Sequence, residues 1–390
     1  MAIPLIDSHV HLWPQAHLPT IAWHSDNNPL GAQYSVDEYH SATNHSSSVS
    51  TLSSSSPRSV SSSTYLRGFI YLEVDRVSSA DEAGEHGWRH VLDEVSYVTR
   101  IATGNPVIGE GHSASQRELL LAFVPWAPIP QGPAALERYM SLVRERTLAD
   151  EVWLKVRGVR YLVQDKPLGT MLTQEFVDSL KWLGRQKLAF DLGVDARQGG
   201  LEQLRQAVTM MRRVYDGVGE KEQVVIIISK FSSPTLSSLR ESMLSKCNAD
   251  HLCKPNLHIR PEDTVQGHPQ FSEWKRLITT MAAEPATYMK LSGLFSELPS
   301  TLADAQIGDL VDHMLPWLDV VFDTFKPHRI MFGSDWPVCN LGGGGDGSWA
   351  KWKAVVECIL DRRRLTDGQR VDIWGGTAVR AYGLDLAGHD

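Results

Sequence analysis

The stretch PLIDSHVHLWP, residues 4–14, joins an apolar β-type run to two histidines that are separated by one residue. In an extended chain, residues i and i+2 point to the same side. His9 and His11 therefore present two imidazoles side by side directly after the run. Because imidazole is a common metal ligand, the stretch predicts one half of a metal site. The alternative is a chance pair of histidines on a solvated turn. Features elsewhere in the chain are needed to choose between the two interpretations.

Seven further apolar, β-rich runs follow the first one. The eight runs are residues 4–9, 67–75, 119–126, 151–161, 188–195, 223–229, 286–293 and 329–335. They are continuous rather than strictly alternating, which is typical of strands covered on both faces. Helix-type stretches lie between them, at residues 80–102, 133–148, 173–186, 199–218, 271–285, 310–327 and 348–363. This alternation predicts an α/β fold with one domain over residues 1–390, a TIM-type (β/α)₈ barrel; an open doubly wound sheet is the alternative.

The bulk composition is that of an ordinary globular protein. The chain has 390 residues, of which 42% are hydrophobic and 22% charged, and its formal net charge is −8. This balance argues against nucleic acid and anionic membranes as partners. No apolar run reaches the roughly 20 residues that span a bilayer, and we see no signal-type segment. The four cysteines form no C-x-x-C pair, so we expect a cytoplasmic enzyme with reduced thiols. A homodimer is left open.

Two segments break the alternation of strands and helices. Residues 41–64 contain a serine tract, with twelve serines between residues 46 and 63. Such a tract buries too little apolar surface to offset its ordering entropy, so we predict a disordered loop after the first strand, which either covers the site or hangs free. Residues 229–250 form an anomalous insertion, because long irregular segments are unusual inside compact domains. Our hypothesis is a retained intron or a misplaced exon boundary, which transcript reads across the segment test.

Polar residues at the strand ends supply the candidate chemistry, because catalytic groups of such barrels lie at the carboxyl ends of strands. His9 and His11 follow the first strand and Asp335 follows the eighth, and these strands are neighbours when a barrel closes. Two imidazoles and a carboxylate can bind one zinc-like ion and leave a position for water. Such an ion lowers the pKa of water and polarises a carbonyl. Asp335 is then the candidate general base; its alternative role is to cap a turn.

Other polar residues near strand ends are weaker candidates. Glu73 ends the second strand, and an ion-pair partner is the stronger interpretation of it. Lys155 and Arg157 share one face of the fourth strand, and Arg160 lies just past its end. A position on the outer face of the barrel is the alternative for these three cations. His251 lies beyond the sixth strand.

Four motifs resemble the amidohydrolase-related branch of the metal-dependent hydrolases. They are DSHVHLWP (7–14), GVRYLVQ (158–164), DHLCKPNL (250–257) and FGSDWPV (332–338). The sugar-lactonase side of that family, with its L-rhamnono-1,4-lactonases and L-fuconolactonases, is the most similar. The resemblance implies a (β/α)₈ barrel and a carboxylic-ester hydrolase of rhamnose catabolism that opens a sugar-acid lactone to the aldonate. It also implies a divalent metal, zinc in the first place, although some relatives need little or none.

The resemblance assigns roles to individual residues by motif. It implies that His9, His11 and Asp335 are the metal ligands and that Asp335 also handles the proton of the attacking water. His251 matches a histidine near the metal and the substrate. Arg160 matches an arginine that holds a carboxylate or hydroxyl group of the substrate.

Three more residues complete the expected substrate pocket, namely Lys155, Trp336 and Glu73. The expected partner is thus a small-molecule sugar lactone. Two other functions stay open at this point. One is a metal-dependent decarboxylase of the same family, and the other is a catalytically inactive barrel with a binding role.

Overall fold

The computed structural model of the chain describes residues 2–25, 27–44, 63–80, 85–194, 200–229, 256–259, 265–302, 304–343 and 345–386. Eight strands lie in this part of the chain: β1 Ile3–Val10, β2 Thr64–Leu72, β3 Leu120–Val124, β4 Gly158–Leu162, β5 Ala189–Gly193, β6 Ile226–Ser229, β7 Thr287–Leu291 and β8 Ile330–Phe332. Each strand pairs in parallel with the next one within two ladders, β1 to β3 and β4 to β8. The predicted run of eight parallel strands is confirmed.

Backbone hydrogen bonds at two seams close the ladders into a barrel. Between β3 and β4, the Phe123 amide donates to the Lys155 carbonyl at 2.8 Å. Between β8 and β1, the Asp335 amide donates to the His9 carbonyl at 2.9 Å. The first and the last strands are therefore neighbours, as the (β/α)₈ barrel prediction requires.

Helices surround the strands. They are α1 Val36–Asn44, α2 Glu85–Thr103, α3 Pro133–Thr147, α4 Asp150–Trp153, α5 Gln174–Gln186, α6 Gly200–Tyr215, α7 Pro269–Ala282, α8 Ile307–Phe325, α9 Asn340–Gly343, α10 Ser348–Arg362, α11 Asp367–Val371 and α12 Thr377–Tyr382. The helix α5 shows why they form: the Thr173 hydroxyl caps the Phe176 amide, and apolar residues at helical spacing bury one face. Among the helices that the structure describes, none is both long and apolar enough to cross a membrane.

The amino-terminal part of the barrel interior is filled by small and apolar side chains and is closed by α12. Ile70, Ala122, Ile227 and Met331 form one buried cluster with residues of α12. The chain just before α12 lies against the start of β1, because a Cβ on Gly375 would be 3.0 Å from the Pro4 carbonyl oxygen. The C-terminal segment therefore plugs the amino-terminal end of the barrel.

The run 151–161 is not one strand, which corrects the prediction for the fourth strand. Its first residues belong to α4, in which the Leu154 amide donates to the Asp150 carbonyl. The strand β4 starts only at Gly158 and contains Arg160. Lys155 therefore precedes the strand, and Arg160 lies within it rather than past its end.

Some residues at the edges of the two interrupting segments lie in regular elements. Of the serine segment 41–64, the residues 41–44 lie in α1 and Thr64 begins β2, because both ends pack on the barrel. The Ser63 carbonyl accepts a hydrogen bond of 2.7 Å from the Ile3 amide, so the segment returns at the amino end of β1, opposite the two histidines. Ser229 ends β6. Residues 45–62 and 230–250 lie outside the described residues, so the disorder and insertion hypotheses stay predictions.

Candidate metal centre and active site

His9, His11 and Asp335 meet at the carboxyl ends of β1 and β8. The Nε2 atoms of His9 and His11 are 3.0 Å apart. Asp335 Oδ1 lies 3.2 Å from the first Nε2 and 3.5 Å from the second. All three side chains are fully buried. The structure thus brings together the three residues that the sequence nominated from opposite ends of the chain.

This donor set fits a divalent metal ion. One ligand atom from each residue lies within 4.8 Å of the others, and two imidazoles with one carboxylate are ligands of catalytic zinc sites. His11 Nδ1 is 3.0 Å from the Leu72 carbonyl oxygen, which can only accept a hydrogen bond. Nδ1 therefore carries the proton, and the lone pair of Nε2 faces the cluster. Burial lowers the pKa of His11, which favours the neutral imidazole that a metal needs.

Unusual backbone geometry positions the ligands. The register of β1 against β2 shifts between Asp7 and Val10, next to the histidines. Asp335 has φ of 59°, in the left-handed region that costs energy for any residue but glycine. Gly333 permits a close approach, since a Cβ there would lie 2.9 Å from His9 Cβ. Strain of this kind is typical of functional sites.

The Asp7 carboxylate ties the segments that carry the candidate metal ligands to the surrounding helices. Its Oδ1 accepts a hydrogen bond of 2.8 Å from the Ser334 amide, next to Asp335 in the chain. Its Oδ2 accepts from Trp349 Nε1 in α10 at 2.9 Å and from the Tyr39 hydroxyl in α1 at 3.1 Å. Burial raises the pKa of Asp7 against these favourable donors. Sequence reasoning missed this residue, although an aspartate inside an apolar strand was a signal.

Glu73 and Arg160 form a buried ion pair beside the cluster. Arg160 Nε lies 3.6 Å from Glu73 Oε1, and both side chains are inaccessible to solvent. The Asp75 amide donates to the other Glu73 oxygen at 2.6 Å. Burial raises the pKa of Glu73 to about 8, and the Arg160 charge opposes this rise. The same guanidinium lowers the pKa of His11, after the larger effect of burial. Arg160 therefore points into the barrel, and the alternative position on its outer face is excluded.

A second buried ion pair crosses the barrel interior. Lys290 Nζ of β7 lies 2.7 Å from Asp191 Oδ2 of β5. The Tyr382 hydroxyl of α12 donates to the same oxygen at 2.9 Å. Burial lowers the pKa of Lys290 to about 8. Asp191 lies in the middle of β5. Sequence reasoning missed Lys290, although a lysine within the apolar run YMKL was a signal.

Lys155 lies at the wrong end of the barrel for a substrate contact. Its Nζ donates to the carbonyl of Leu120, the first residue of β3, at 2.8 Å. It lines a surface groove together with Arg157 and Asp385. The expected contact between Lys155 and the substrate is therefore wrong, because the residue precedes β4 instead of following it.

Trp336 and His251 complete the set of predicted site residues. Trp336 follows Asp335, but its ring is buried edge-to-face against Tyr34 and Tyr39, with centroid distances of 5.5 and 5.4 Å. The structure thus places this ring in an aromatic cluster with α1. His251 lies outside the described residues.

Comparisons with known proteins extend these observations. Residues 247–384 match the sequence profile of a family described as amidohydrolase. L-rhamnono-gamma-lactonase of Scheffersomyces stipitis is 31% identical over 382 residues, which are 97% of this chain and 98% of the relative. L-fucono-1,5-lactonase of Burkholderia multivorans is 38% identical over 140 residues, which are 35% of this chain and 42% of the relative.

Solved structures agree on the fold. A crystal structure of an amidohydrolase from Burkholderia multivorans with bound zinc superposes with a TM-score of 0.62 at 23% identity, over 98% of this chain and 99% of that one. A second crystal form of a B. multivorans amidohydrolase, with bound HEPES, gives a TM-score of 0.63 at 22% identity over the same shares. The near full-length similarity to the S. stipitis lactonase shows the family. This chain belongs to the amidohydrolase family.

Proposed function

We propose that this protein hydrolyses a sugar-acid lactone of the L-rhamnono-1,4-lactone type to the aldonate. The observation that carries the proposal is the buried cluster of His9, His11 and Asp335 at the barrel mouth. The name of the relative that is 31% identical over 382 residues supports the substrate class. The L-fucono-1,5-lactonase that matches over 140 residues supports it too.

We further propose that His9, His11 and Asp335 hold a divalent metal. Zinc is the first candidate, because the similar barrel from B. multivorans was crystallised with it. A metal bound there would polarise the lactone carbonyl and lower the pKa of water. The Leu72 carbonyl fixes the tautomer of His11 for this purpose, and Asp7 holds the segment that carries Asp335.

Asp335 is the proposed proton carrier. Water attacks the carbonyl carbon, and the bond between that carbon and the ring oxygen breaks. The Asp335 carboxylate accepts the proton of the attacking water and passes it to the ring oxygen, which leaves as a hydroxyl group. The aldonic acid contains all atoms of the lactone and the water, and at neutral pH it ionises to the aldonate and releases one proton to the solvent.

Arg160 is the proposed anchor for the substrate oxygens and for the new carboxylate, because its guanidinium lies beside His11 and can bind a carboxylate through two N–H donors. Glu73 orients this guanidinium across a distance of 3.6 Å. We retain His251 as a proposed contact near the substrate on the strength of its motif alone.

Acid release from L-rhamnono-1,4-lactone tests the function. A pH indicator would follow the wild-type protein, Asp335→Asn and the matched control Asp216→Asn, which changes an exposed aspartate at the end of α6. Loss of a positioned acid–base group costs about 10²–10⁴ in rate, so we expect Asp335→Asn to fall by that factor while the control keeps wild-type kcat/KM. Background rates in all three proteins would contradict the proposal and direct attention to decarboxylation of aromatic acids.

A further inference from the structure

The middle of this barrel contains charges where such barrels usually carry apolar side chains. Arg160 of β4, Asp191 of β5 and Lys290 of β7 are all buried in the interior. Desolvating ion pairs is costly, and replacing them by apolar residues is often neutral or stabilising. Stability alone therefore does not explain why this layer is charged.

The Lys290 ammonium has unused capacity for hydrogen bonds. Its side chain is completely buried, and within the described part of the chain its hydrogen-bond acceptor is Asp191 Oδ2. The ring of Tyr382 lies 5.5 Å from Nζ and faces a second direction of the ammonium. An ammonium carries three N–H donors, and buried donors are nearly always satisfied. At least one donor is thus available to an oxygen atom outside the described residues.

The position of Lys290 places this donor beneath the metal centre. Ser292 directly follows β7 and comes two residues after Lys290, so the extended chain points the two side chains to the same side. A Cβ on Gly333 would contact Ser292 Cβ at 3.1 Å and His9 Cβ at 2.9 Å. Ser292 therefore lies next to the ligand His9, and Lys290 lies one layer below. The Asp335 charge acts on Lys290 as well, since it raises the pKa of the ammonium against the larger effect of burial.

We propose that Lys290 is a substrate-binding residue whose ammonium donates a hydrogen bond to an oxygen of the sugar-acid lactone and of the aldonate formed from it. This inference rests on the proposed lactonase function. Asp191 and Tyr382 are positioning residues, because their oxygen atom and ring hold the ammonium in place. On this proposal the three side chains are a polar floor beneath the candidate metal site, matched to a substrate that carries hydroxyl and carboxyl oxygens along its chain.

The test replaces the whole ion pair in the double variant Lys290→Met/Asp191→Asn. A single replacement would strand a buried charge, whereas removal of both charges avoids that cost. Loss of a charge-assisted hydrogen bond predicts a fall of kcat/KM of about 10- to 100-fold, mainly through KM. Zinc content and melting temperature should stay near the wild-type values. The matched control, Lys155→Met/Asp319→Asn, makes the same exchanges outside the site and should keep wild-type kinetics.

The outcomes separate this inference from the proposed function. Wild-type kinetics in a folded Lys290→Met/Asp191→Asn variant would overturn the inference and leave the lactonase intact. Absence of turnover in the wild-type protein would overturn both. Lys290→Gln/Asp191→Asn keeps an N–H donor and should recover part of the lost affinity, which a purely structural pair would not show.

A crystal structure of the wild-type protein with the aldonate is the measurement that needs no variant. A ligand oxygen within about 3.2 Å of Lys290 Nζ supports the inference. An aldonate bound at the metal centre with no oxygen near Nζ overturns it.

Discussion

The two ends of the barrel use the same strands for opposite purposes. At the carboxyl end, His9, His11 and Asp335 are fully buried and their polar atoms converge within a few ångströms. At the amino end, α12 fills the opening with Ala378 and Ala381, which are equally buried. Burial therefore does not distinguish function from support in this molecule. The convergence of charged atoms and candidate metal ligands does distinguish them, because converging buried polar groups lower the stability of the fold unless a bound ligand offsets this cost.

Two lysines give a second comparison between different levels along the barrel axis. Lys155 lies before its strand and donates to a backbone carbonyl at the amino end. Lys290 lies within its strand and reaches a carboxylate in the interior. The two residues have the same chemistry, so their different places along the barrel axis are the reason why we propose a substrate contact for Lys290 alone.

The largest effect that we expect beyond the Asp335 experiment concerns the metal. His11→Ala should reduce activity on the order of 10³-fold, because Lewis-acid stabilisation is worth several kcal/mol. Zinc at 100 times its Kd should stabilise the wild-type protein by about 2.7 kcal/mol through mass action and should not stabilise the variant. Thermal unfolding with and without zinc measures this, with His40→Ala on the exposed side of α1 as the matched control. If zinc stabilised His11→Ala as much as His40→Ala, His11 at the carboxyl end of the barrel would not be a ligand of the metal.

A smaller effect is expected for the support behind the ligands. Asp7→Asn places an amide N–H₂ group where the Ser334 amide or the Trp349 indole now donates. Changes to residues that hold metal ligands typically weaken metal affinity 10- to 100-fold, and we expect a loss in that range. Isothermal titration with zinc measures it. Wild-type affinity in a folded Asp7→Asn protein would show that the position of Asp335 does not depend on this carboxylate.

The smallest effect is a pH dependence of stability. Burial raises the pKa of Glu73 from 4.5 to about 8, so the native state binds more protons than the unfolded state between these values. The free energy of unfolding must then fall as pH rises through this window, by at most about 1.4 kcal/mol per pH unit. Glu73→Gln should remove this decline. Urea titrations of both metal-free proteins across the window measure it, and parallel stability curves would mean that Glu73 is ionised throughout.

Much of the site followed from local spacing in the sequence. The period of two puts His9 and His11 on one side, and closure of a (β/α)₈ barrel brings them to Asp335. The ion-pair interpretation of Glu73 also agrees with its contact to Arg160. These features depend only on which strand end a residue occupies.

The errors have equally specific causes. Lys155 was misplaced because residues 151–161 look like one β-type run, whereas the helix α4 occupies its start. Asp7 and Lys290 were missed because their partners are remote: Trp349 is 342 residues from Asp7, and Asp191 is 99 residues from Lys290. The spacing of residues within one run cannot indicate contacts between residues that are so far apart in the sequence, because only the packed barrel brings them together.

The contribution of both the first and the last of the eight strands to the candidate metal centre has a consequence for biosynthesis. His9 and His11 in β1 are translated before Asp335, which follows β8. Tyr382, which holds Asp191, comes later still. A chain whose translation stops before Asp335 therefore contains the two histidines of the candidate centre, but it lacks the carboxylate and Tyr382. We expect the proposed lactonase activity only from chains that are translated beyond Tyr382.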